Sequence, residues 1–271
     1  MIVPVLLSVF GGDALEYLKS SVNSILTQTC EGVLLYIGVD GVVEKDIDDY
    51  LRNLTSKGLV EVRWFKDNKG LACVLNRLLS ECRLRGYEYY ARIDADDVAL
   101  PDRLKNQLDY LEHHPEVDVV GGAIEEIDEN GNLRGKTVHY PLTNEDCRKY
   151  FRFRDPLAHP AVMFRARFFD KVKSGYREEY RRNQDTMLWF DAIKNGCVFA
   201  NLPDTILQYR VRKDYYRQRL GNWTLAMQKL KIRMRINREL HYGLSSYLFA
   251  LGLFGMTILP SWLKRWLHKM R

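Results

Sequence analysis

The sequence predicts an α/β fold: a mostly parallel sheet with helices on both faces. Three observations lead there. Apolar runs of strand length alternate with segments of helical spacing from the first residue to about residue 97, an order that implies a parallel sheet covered on both sides. Glycines and carboxylates gather where the strand runs end, at residues 10–12, 40–41, 67–70 and 94–97, and ligands of such sheets bind outside the carboxyl ends of the strands. The 271 residues, 46% hydrophobic and 28% charged, suffice for one such domain with an appendage and exclude a disordered chain.

The elements follow in order. Residues 3–10 are an apolar run closed by Gly11-Gly12, a buried strand and its turn. Residues 15–29 carry Leu15, Leu18, Val22, Ile25 and Leu26 at helical spacing. Residues 33–39 are β-branched and apolar and stop at Asp40-Gly41; a helix over 47–54 and a third strand over 60–65 come next. Residues 70–85 place Leu71, Val74, Leu75, Leu78 and Leu79 on one helical face. A fourth strand over 87–93 runs directly into Asp94-Ala95-Asp96-Asp97. Beyond it lie a helix over 101–113, a strand over 117–127, an Asn130-Gly131 turn, a short apolar strand over 161–164 and a helix over 186–194. From about residue 140 the pattern is irregular and rich in arginine and tyrosine.

The net charge of +6 suits an anionic partner: nucleic acid, an anionic membrane or a phosphorylated substrate. Cys30, Cys73, Cys82, Cys147 and Cys197 are scattered without a CxxC pair, which fits free thiols in a reducing compartment and argues against a zinc site. The N-terminus lacks a basic segment and a cleavage site and reads as a strand. The expected address is the cytoplasm.

Three carboxylates within the four residues 94–97 repel one another unless a cation or solvent intervenes. They are either a site for a hard divalent cation, magnesium or manganese, or an acidic loop capping the next helix. Asp40 is either an acceptor for an imide N–H such as N3 of uracil, or part of a plain Asp-Gly turn. In Asp67-Asn68-Lys69-Gly70, the helix start attracts anions and Lys69 adds a charge for a phosphate; a loop with a solvated lysine accounts for it as well.

The order VPVLLSVFGG, IGVDG, DNKGLACVLNRLL and YYARIDADDVALPDRL, continued by HPAVMFR, NQDTMLW and LQYRVRKDYYRQR, resembles glycosyltransferase family 2 over residues 2–219. It looks most like the bacterial transferases of O-antigen and capsule biosynthesis. The resemblance implies the GT-A fold, a Rossmann-like nucleotide-binding domain. Its nucleotide-sugar half would be residues 1–100, its acceptor-side half 101–219, and a C-terminal helical segment 220–271. It implies that Val9, Phe10 and Gly11 meet the nucleotide through backbone groups and that Asp40 contacts uracil. Asp94, Ala95 and Asp96 would form the DxD motif, with Asp96 holding Mn2+ or Mg2+ on the diphosphate. Asp185 would be the general base that takes the proton of an acceptor hydroxyl as it displaces the nucleoside diphosphate, inverting the anomeric configuration.

The sequence departs from the family pattern in three places. Gln184-Asp185 replaces the common Glu-Asp pair, Val39-Asp40 replaces two consecutive aspartates, and Arg212 stands where many relatives have histidine. Arginine cannot ligate a metal but pairs with a diphosphate. Arg210, Arg212 and Arg219 are therefore candidate diphosphate contacts, with a solvated basic face as the alternative. His159 is either an acceptor contact or structural, and Trp189 either stacks on an acceptor sugar or packs in the core.

Residues 209–238 are strongly basic, yet no nucleic-acid-binding module is recognisable, and no nucleic-acid partner is expected. The apolar run 244–259 is short of the roughly 20 residues of a spanning helix. The following SWLKRWLHKMR combines tryptophan with basic residues, as headgroup regions favour. Together they read as a segment lying on an anionic membrane surface, or as a helical pair packed on the catalytic domain or in a dimer. The expectation is an inverting, metal-dependent transferase. It would be peripheral on the inner face of the cell membrane, moving a sugar from a UDP-sugar to an undecaprenyl-diphosphate-linked saccharide. The alternatives are a polyprenyl-phosphate acceptor or a non-catalytic binding module.

Overall fold

The computed structural model describes residues 1–212 and 223–258. Its strands are β1 (Val3–Phe10), β2 (Val33–Asp40), β3 (Val60–Phe65), β4 (Tyr89–Asp94), β5 (Val98–Ala99), β6 (Val119–Ile127), β7 (Leu133–Val138), β8 (Met163–Arg165) and β9 (Phe199–Arg210). Its helices are α1 (Leu15–Leu26), α2 (Lys45–Ser56), α3 (Leu71–Leu84), α4 (Arg103–His113), α5 (Asn144–Tyr150), α6 (Arg167–Lys171), α7 (Gln184–Lys194), α8 (Trp223–Glu239) and α9 (Leu244–Ile258).

One sheet runs through the molecule in the order β3-β2-β1-β4-β8-β6-β9-β5, with β7 pairing β6. β1 is parallel to β2 and β4, and β2 to β3. The chain thus winds outward through β1, β2 and β3, then returns through α3 to place β4 on the other side of β1. That reversal makes a switch point between β1 and β4, the place where such sheets bind ligands. Beyond β4 the sheet is mixed: β8 is antiparallel to β4 and β6, and β9 runs parallel to β6. The expected parallel arrangement holds for β1 to β4; over the whole sheet four pairings are parallel and four antiparallel, and β5, β7 and β9 add to the expected strands.

β1 and β4 are buried almost throughout, as strands covered on both faces must be. Pro4 is tolerated in the central strand because pairing with β4 begins only at Val5. α3 turns Ala72, Val74, Leu75, Leu78, Leu79 and Cys82 inward. It seats against β2 because Gly38 has no side chain: a Cβ there would lie 2.3 Å from Val74. On the other side of the sheet, α4 buries two polar side chains. Gln107 donates to the carbonyls of Val120 and Ala161 (3.0 and 2.8 Å), and Arg103 donates to that of Arg92 (2.6 Å). These bonds satisfy carbonyls where β4, β8 and β6 change direction, and so fix the strand that carries Asp94.

At the C-terminus, α8 and α9 form a hairpin against the 151–155 segment. Arg233 donates to the Phe151 carbonyl (2.9 Å) and to Asp155 (3.2 Å), and the Phe153 and Phe249 rings meet edge to face at 5.1 Å. α9 exposes Leu244, Leu248, Leu251 and Met256. No helix among the described residues is long and apolar enough to cross a membrane. Arg219 and the SWLKRWLHKMR tail lie outside the described residues.

Candidate active site

The carboxyl ends of β1, β2 and β4 bring Phe10, Asp40 and Asp94 to the mouth of the switch point. A cavity of about 450 Å³ opens there, lined among others by Ser8, Phe10, Asp13, Asp40, Asp94 and Asp96.

Asp40 is buried and both of its carboxylate oxygens are engaged. Oδ1 accepts from the Lys69 amide and Oδ2 from the Gly70 amide, each at 2.8 Å, while Asn68 Nδ2 donates to the Asp40 carbonyl (3.2 Å). Gly41 has φ 82° and its missing Cβ would sit 2.9 Å from the Asn68 amide, so only glycine lets the loop close so tightly. Asp40-Gly41 thus holds the 67–70 loop as well as lining the cavity. The Lys69 ammonium is exposed and does not line the cavity; its backbone amide has the defined partner.

At the first loop, Val9 is a core residue, Gly11 is exposed, and Phe10 keeps 46% of its surface exposed. The Phe10 amide donates to Asp13 Oδ2 (2.9 Å) and the Asp13 amide to the Phe10 carbonyl (3.1 Å). This turn delivers Asp13, which the sequence reading did not single out, beside the acidic motif. Burial, reinforced by the nearby Asp96 charge, pushes Asp13 up to about 7 against the pull of the Phe10 amide.

The 94–97 turn bears a carboxylate cluster: ligand oxygens of Asp94, Asp96 and Asp97 all lie within 4.8 Å of one another. Asp94 pairs with the guanidinium of Arg92, itself 2% exposed. Ala95 is buried. Asp96 meets Arg212 at 3.2 Å; burial and the Asp94 charge nevertheless hold its pKa above the ordinary carboxylate value. Asp97 points inward, with Oδ1 accepting from the Arg210 amide at 2.9 Å and Oδ2 buried without a partner among the described residues. Burial, then the charges of Asp94 and Asp96, raise Asp97 strongly. Crowded hard oxygens with a charge deficit are the donor set that Mg2+ or Mn2+ takes, so the residues fit the expected cation.

The arginines divide. Arg212 stands at the cavity beside Asp96 and 4.0 Å from Asp13. Arg210 differs from the expectation of a free diphosphate contact. It is buried, its Nε donates to the Asp96 carbonyl (2.8 Å), its Nη1 donates to the Asp128 and Glu129 carbonyls, and its guanidinium lies over the Tyr17 ring at 4.4 Å. It clamps the acidic turn to β9.

Asp185 lies at the start of α7 in a second cavity of about 490 Å³, and Arg181 lines both cavities. Arg181 reaches across to donate to the Asn68 Oδ1 (2.9 Å) and carbonyl (3.0 Å). Burial, then the negative charge of Asp155, pushes Asp185 up to about 6, while the Thr186 amide and Arg92 oppose the shift. Asp155 is held by Thr186 (2.7 Å) and Arg233. Neither Asp155 nor Arg233 carries a local sequence signal; Arg92 does, as a charge inside an otherwise buried strand.

Trp189 requires a correction. It is 0% exposed and enclosed by Phe164, Phe168, Phe199 and His159 at ring distances of 6.0–6.5 Å, so it presents no face to a sugar, and the core alternative describes it. His159 is buried beneath the site, its Nε2 2.9 Å from the Tyr176 hydroxyl, and burial keeps its imidazole neutral.

A curled α/β sheet with an acidic turn at its switch point defines a glycosyltransferase of the GT-A fold. The chain belongs to glycosyl transferase family 2, whose pattern matches residues 4–174. It is 31% identical over 229 residues to the amylovoran biosynthesis glycosyltransferase AmsE of Erwinia amylovora, covering 84% of this chain and 83% of that one. It is 25% identical over 270 residues to the UDP-Gal:alpha-D-GlcNAc-diphosphoundecaprenol beta-1,3-galactosyltransferase of Escherichia coli, covering 98% and 94%. The mannosyltransferase PcManGT of Pyrobaculum calidifontis, solved with GDP-Man and Mn2+, shares the fold at a TM-score of 0.63 and 14% identity, covering 93% and 73%. Family membership sets aside the non-catalytic alternative.

The double acceptance at Asp40 yields a prediction. Asp40→Asn turns an amide donor toward one of the two loop N–H groups. Amide exchange at Lys69 and Gly70, followed by NMR, is expected to accelerate at least about tenfold, since losing one such bond costs about 1–3 kcal/mol. Unchanged exchange would mean the loop is held by other contacts.

Proposed function

We propose that the protein is an inverting transferase that moves a sugar from a UDP-sugar to a saccharide carried on a polyprenyl diphosphate, in the assembly of a bacterial surface polysaccharide. The observation that carries this reading is the meeting of two cavities at Arg181, one with the carboxylate cluster and the other with a single carboxylate of raised pKa. Asp40 and the exposed Phe10 take the uracil end, and Arg212 faces the diphosphate. Asp94 and Asp96, with Asp97 behind them, would hold Mg2+ or Mn2+. When bound, the cation supplies charge neutralisation to the departing nucleoside diphosphate. Asp185 accepts the proton of the acceptor hydroxyl as its oxygen bonds to the anomeric carbon and the bond to the diphosphate breaks, inverting that centre. The relationship to a transferase named for a UDP-Gal donor and a diphosphoundecaprenol acceptor supports these substrate classes.

We assign the inner face of the cell membrane as the place of action, with residues 1–100 serving the donor and 101–219 the acceptor. The exposed apolar residues of α9 and the exposed basic residues Lys231 and Arg238 of α8 suit a surface of anionic lipid.

Asp185→Asn keeps the shape of the base and removes its proton acceptor. Turnover is expected to fall about 10²–10⁴-fold, with UDP affinity unchanged. In the wild type the base works ionised, so the rate should be flat above pH of about 6 and fall tenfold per unit below it. Full turnover in the Asn variant would remove Asp185 from the role of base.

Cation dependence is read by thermal shift with a panel of nucleotide sugars. A UDP-sugar is expected to stabilise the protein with Mn2+ and not with EDTA, and Asp96→Ala should abolish the shift. An undiminished shift in chelator would contradict the assignment of Asp96.

For the membrane, flotation with phosphatidylglycerol-containing vesicles should carry the wild type upward and leave Leu248→Asp/Leu251→Asp behind. Both positions are exposed, so the melting temperature should hold. Equal flotation of the two proteins would exclude α9 as the contact.

A further inference from the structure

Arg181 is the residue that the two cavities share, and its side chain is fully spoken for. Nη1 donates to Asn68 Oδ1 (2.9 Å) and Nη2 to the Asn68 carbonyl (3.0 Å), so the planar fork grips one residue twice. The stem runs over Gly70, where a Cβ would lie 3.5 Å from Arg181 Cδ. Asn68 in turn donates from Nδ2 to the Asp40 carbonyl (3.2 Å), and the Asp40 carboxylate holds the amides of Lys69 and Gly70. A run of hydrogen bonds thus leads from the end of β2 through Asn68 to Arg181, and Asp185 comes next but three along the chain.

The turn between Arg181 and Asp185 needs to be held. Asn183 is left-handed at φ 61°, and among the described residues only His241 is another non-glycine with positive φ. Asn183 makes no side-chain bond to the helix it precedes. A conformation of that kind persists where its surroundings fix it from both sides. On the far side α7 is pinned by Arg177, whose guanidinium takes both oxygens of Asp191 (2.7 and 2.8 Å). On the near side Asn76 of α3 clasps the Tyr176 backbone, accepting from its amide and donating to its carbonyl, each at 2.8 Å. Gly175 makes room for that clasp, since a Cβ there would lie 2.6 Å from Asn76 Oδ1. Arg181 adds its attachment two residues before the strained turn, to the loop from which α3 begins.

We propose that Arg181 is a positioning residue: its two hydrogen bonds to Asn68 tie the start of α7, and with it Asp185, to the 67–70 loop. One consequence rests on the readings of the donor site and of Asp185 as the base. A nucleotide that orders the 67–70 loop also steadies Asp185, so the base is set while the donor is in place.

The Met187 amide reports on the tie, because it donates to the Asn183 carbonyl (3.1 Å); the Asn195 amide, bonded to the Asp191 carbonyl (2.9 Å) at the far end of α7, is the control. Arg181 is exposed, so Arg181→Ala should keep its melting temperature. Hydrogen exchange followed by NMR on the ligand-free full chain should quicken at Met187 at least about fivefold in Arg181→Ala and in Asn68→Ala, with Asn195 unchanged. UDP with Mn2+ should then slow Met187 at least about threefold in the wild type and leave it unslowed in Arg181→Ala. Equal Met187 exchange in the wild type and Arg181→Ala overturns the tie. So does an equal rise at Met187 and Asn195, which marks general loosening, or a rise in Arg181→Ala alone, which points to a partner other than Asn68. The coupling to the donor fails if UDP slows Met187 equally in both proteins, or perturbs the Lys69 and Gly70 amides of the wild type without slowing Met187. If UDP perturbs neither loop amide, the donor reading fails instead, and the ligand-free comparison still decides the tie.

Discussion

Everything at this site is arranged around the crowding of negative charge at one end of the sheet. The winding of β1 to β4 sets Asp13 beside Asp94, Asp96 and Asp97, and like charges this close in a partly dry crevice oppose one another strongly. The chain offsets part of that from below and from the side. Arg92, inside the sheet, takes Asp94; Arg212 takes Asp96 from the solvent side; the backbone amide of Arg210 takes one oxygen of Asp97. The compensation is incomplete: the second oxygen of Asp97 stays unpartnered and Asp13 is pushed up to about 7. The proposed divalent cation would offset that excess of negative charge, which ties the electrostatics of the fold to the proposed chemistry.

The arginine that supports this cluster also reaches Asp185, the proposed base. Arg92 lies between the acidic turn and the layer containing His159, Tyr176 and Asp185, all of which feel its charge. Its neighbour Arg103 is equally buried, and burial together with the Arg92 charge lowers its pKa to about 9. Two buried guanidiniums side by side are costly unless carboxylates stand near, so the positive layer under the site and the negative layer at its mouth require each other. Across the opening, Arg181 bonds the loop that Asp40 organises, which gives the two cavities a common wall.

Much of this was legible in the sequence because the first hundred residues are locally consistent. Strand runs, helical spacing and the polar residues at the strand ends all point to one parallel layout, and the acidic turn falls where that layout places ligands. The rest depends on contacts between distant segments. The double acceptance by Asp40, the inward turn of Asp97 and the burial of Arg210 come from backbone groups meeting at long range, which residue type does not encode. Asp155 and Arg233 are 78 residues apart and have no common motif. Trp189 shows the opposite limit: residue type left a sugar contact and core packing both open, and four aromatic neighbours enclose it. The short apolar strand β8 was legible, whereas the long strand β9 was hidden because mixed pairing lets irregular, arginine-rich sequence enter a sheet.

The C-terminal hairpin changes how the apolar end of the chain should be understood. Read from composition, the segment is an appendage whose task is to find the membrane. In the fold, α8 supplies Arg233 to Asp155, and the charge of Asp155 is the second cause of the raised pKa of Asp185. α8 and α9 also complete the wall of the cavity that holds Asp185. Deleting the hairpin would therefore expose Asp185 to solvent, lower its basicity and unseat the 151–155 segment, whatever it did to membrane partitioning. Lipid contact and basicity are separable only at positions such as Leu248 and Leu251, which face solvent and do not line that cavity. In the proposed function the same hairpin both meets the lipid and builds the surroundings of Asp185, so seating it would order the proposed base beside a lipid-borne acceptor.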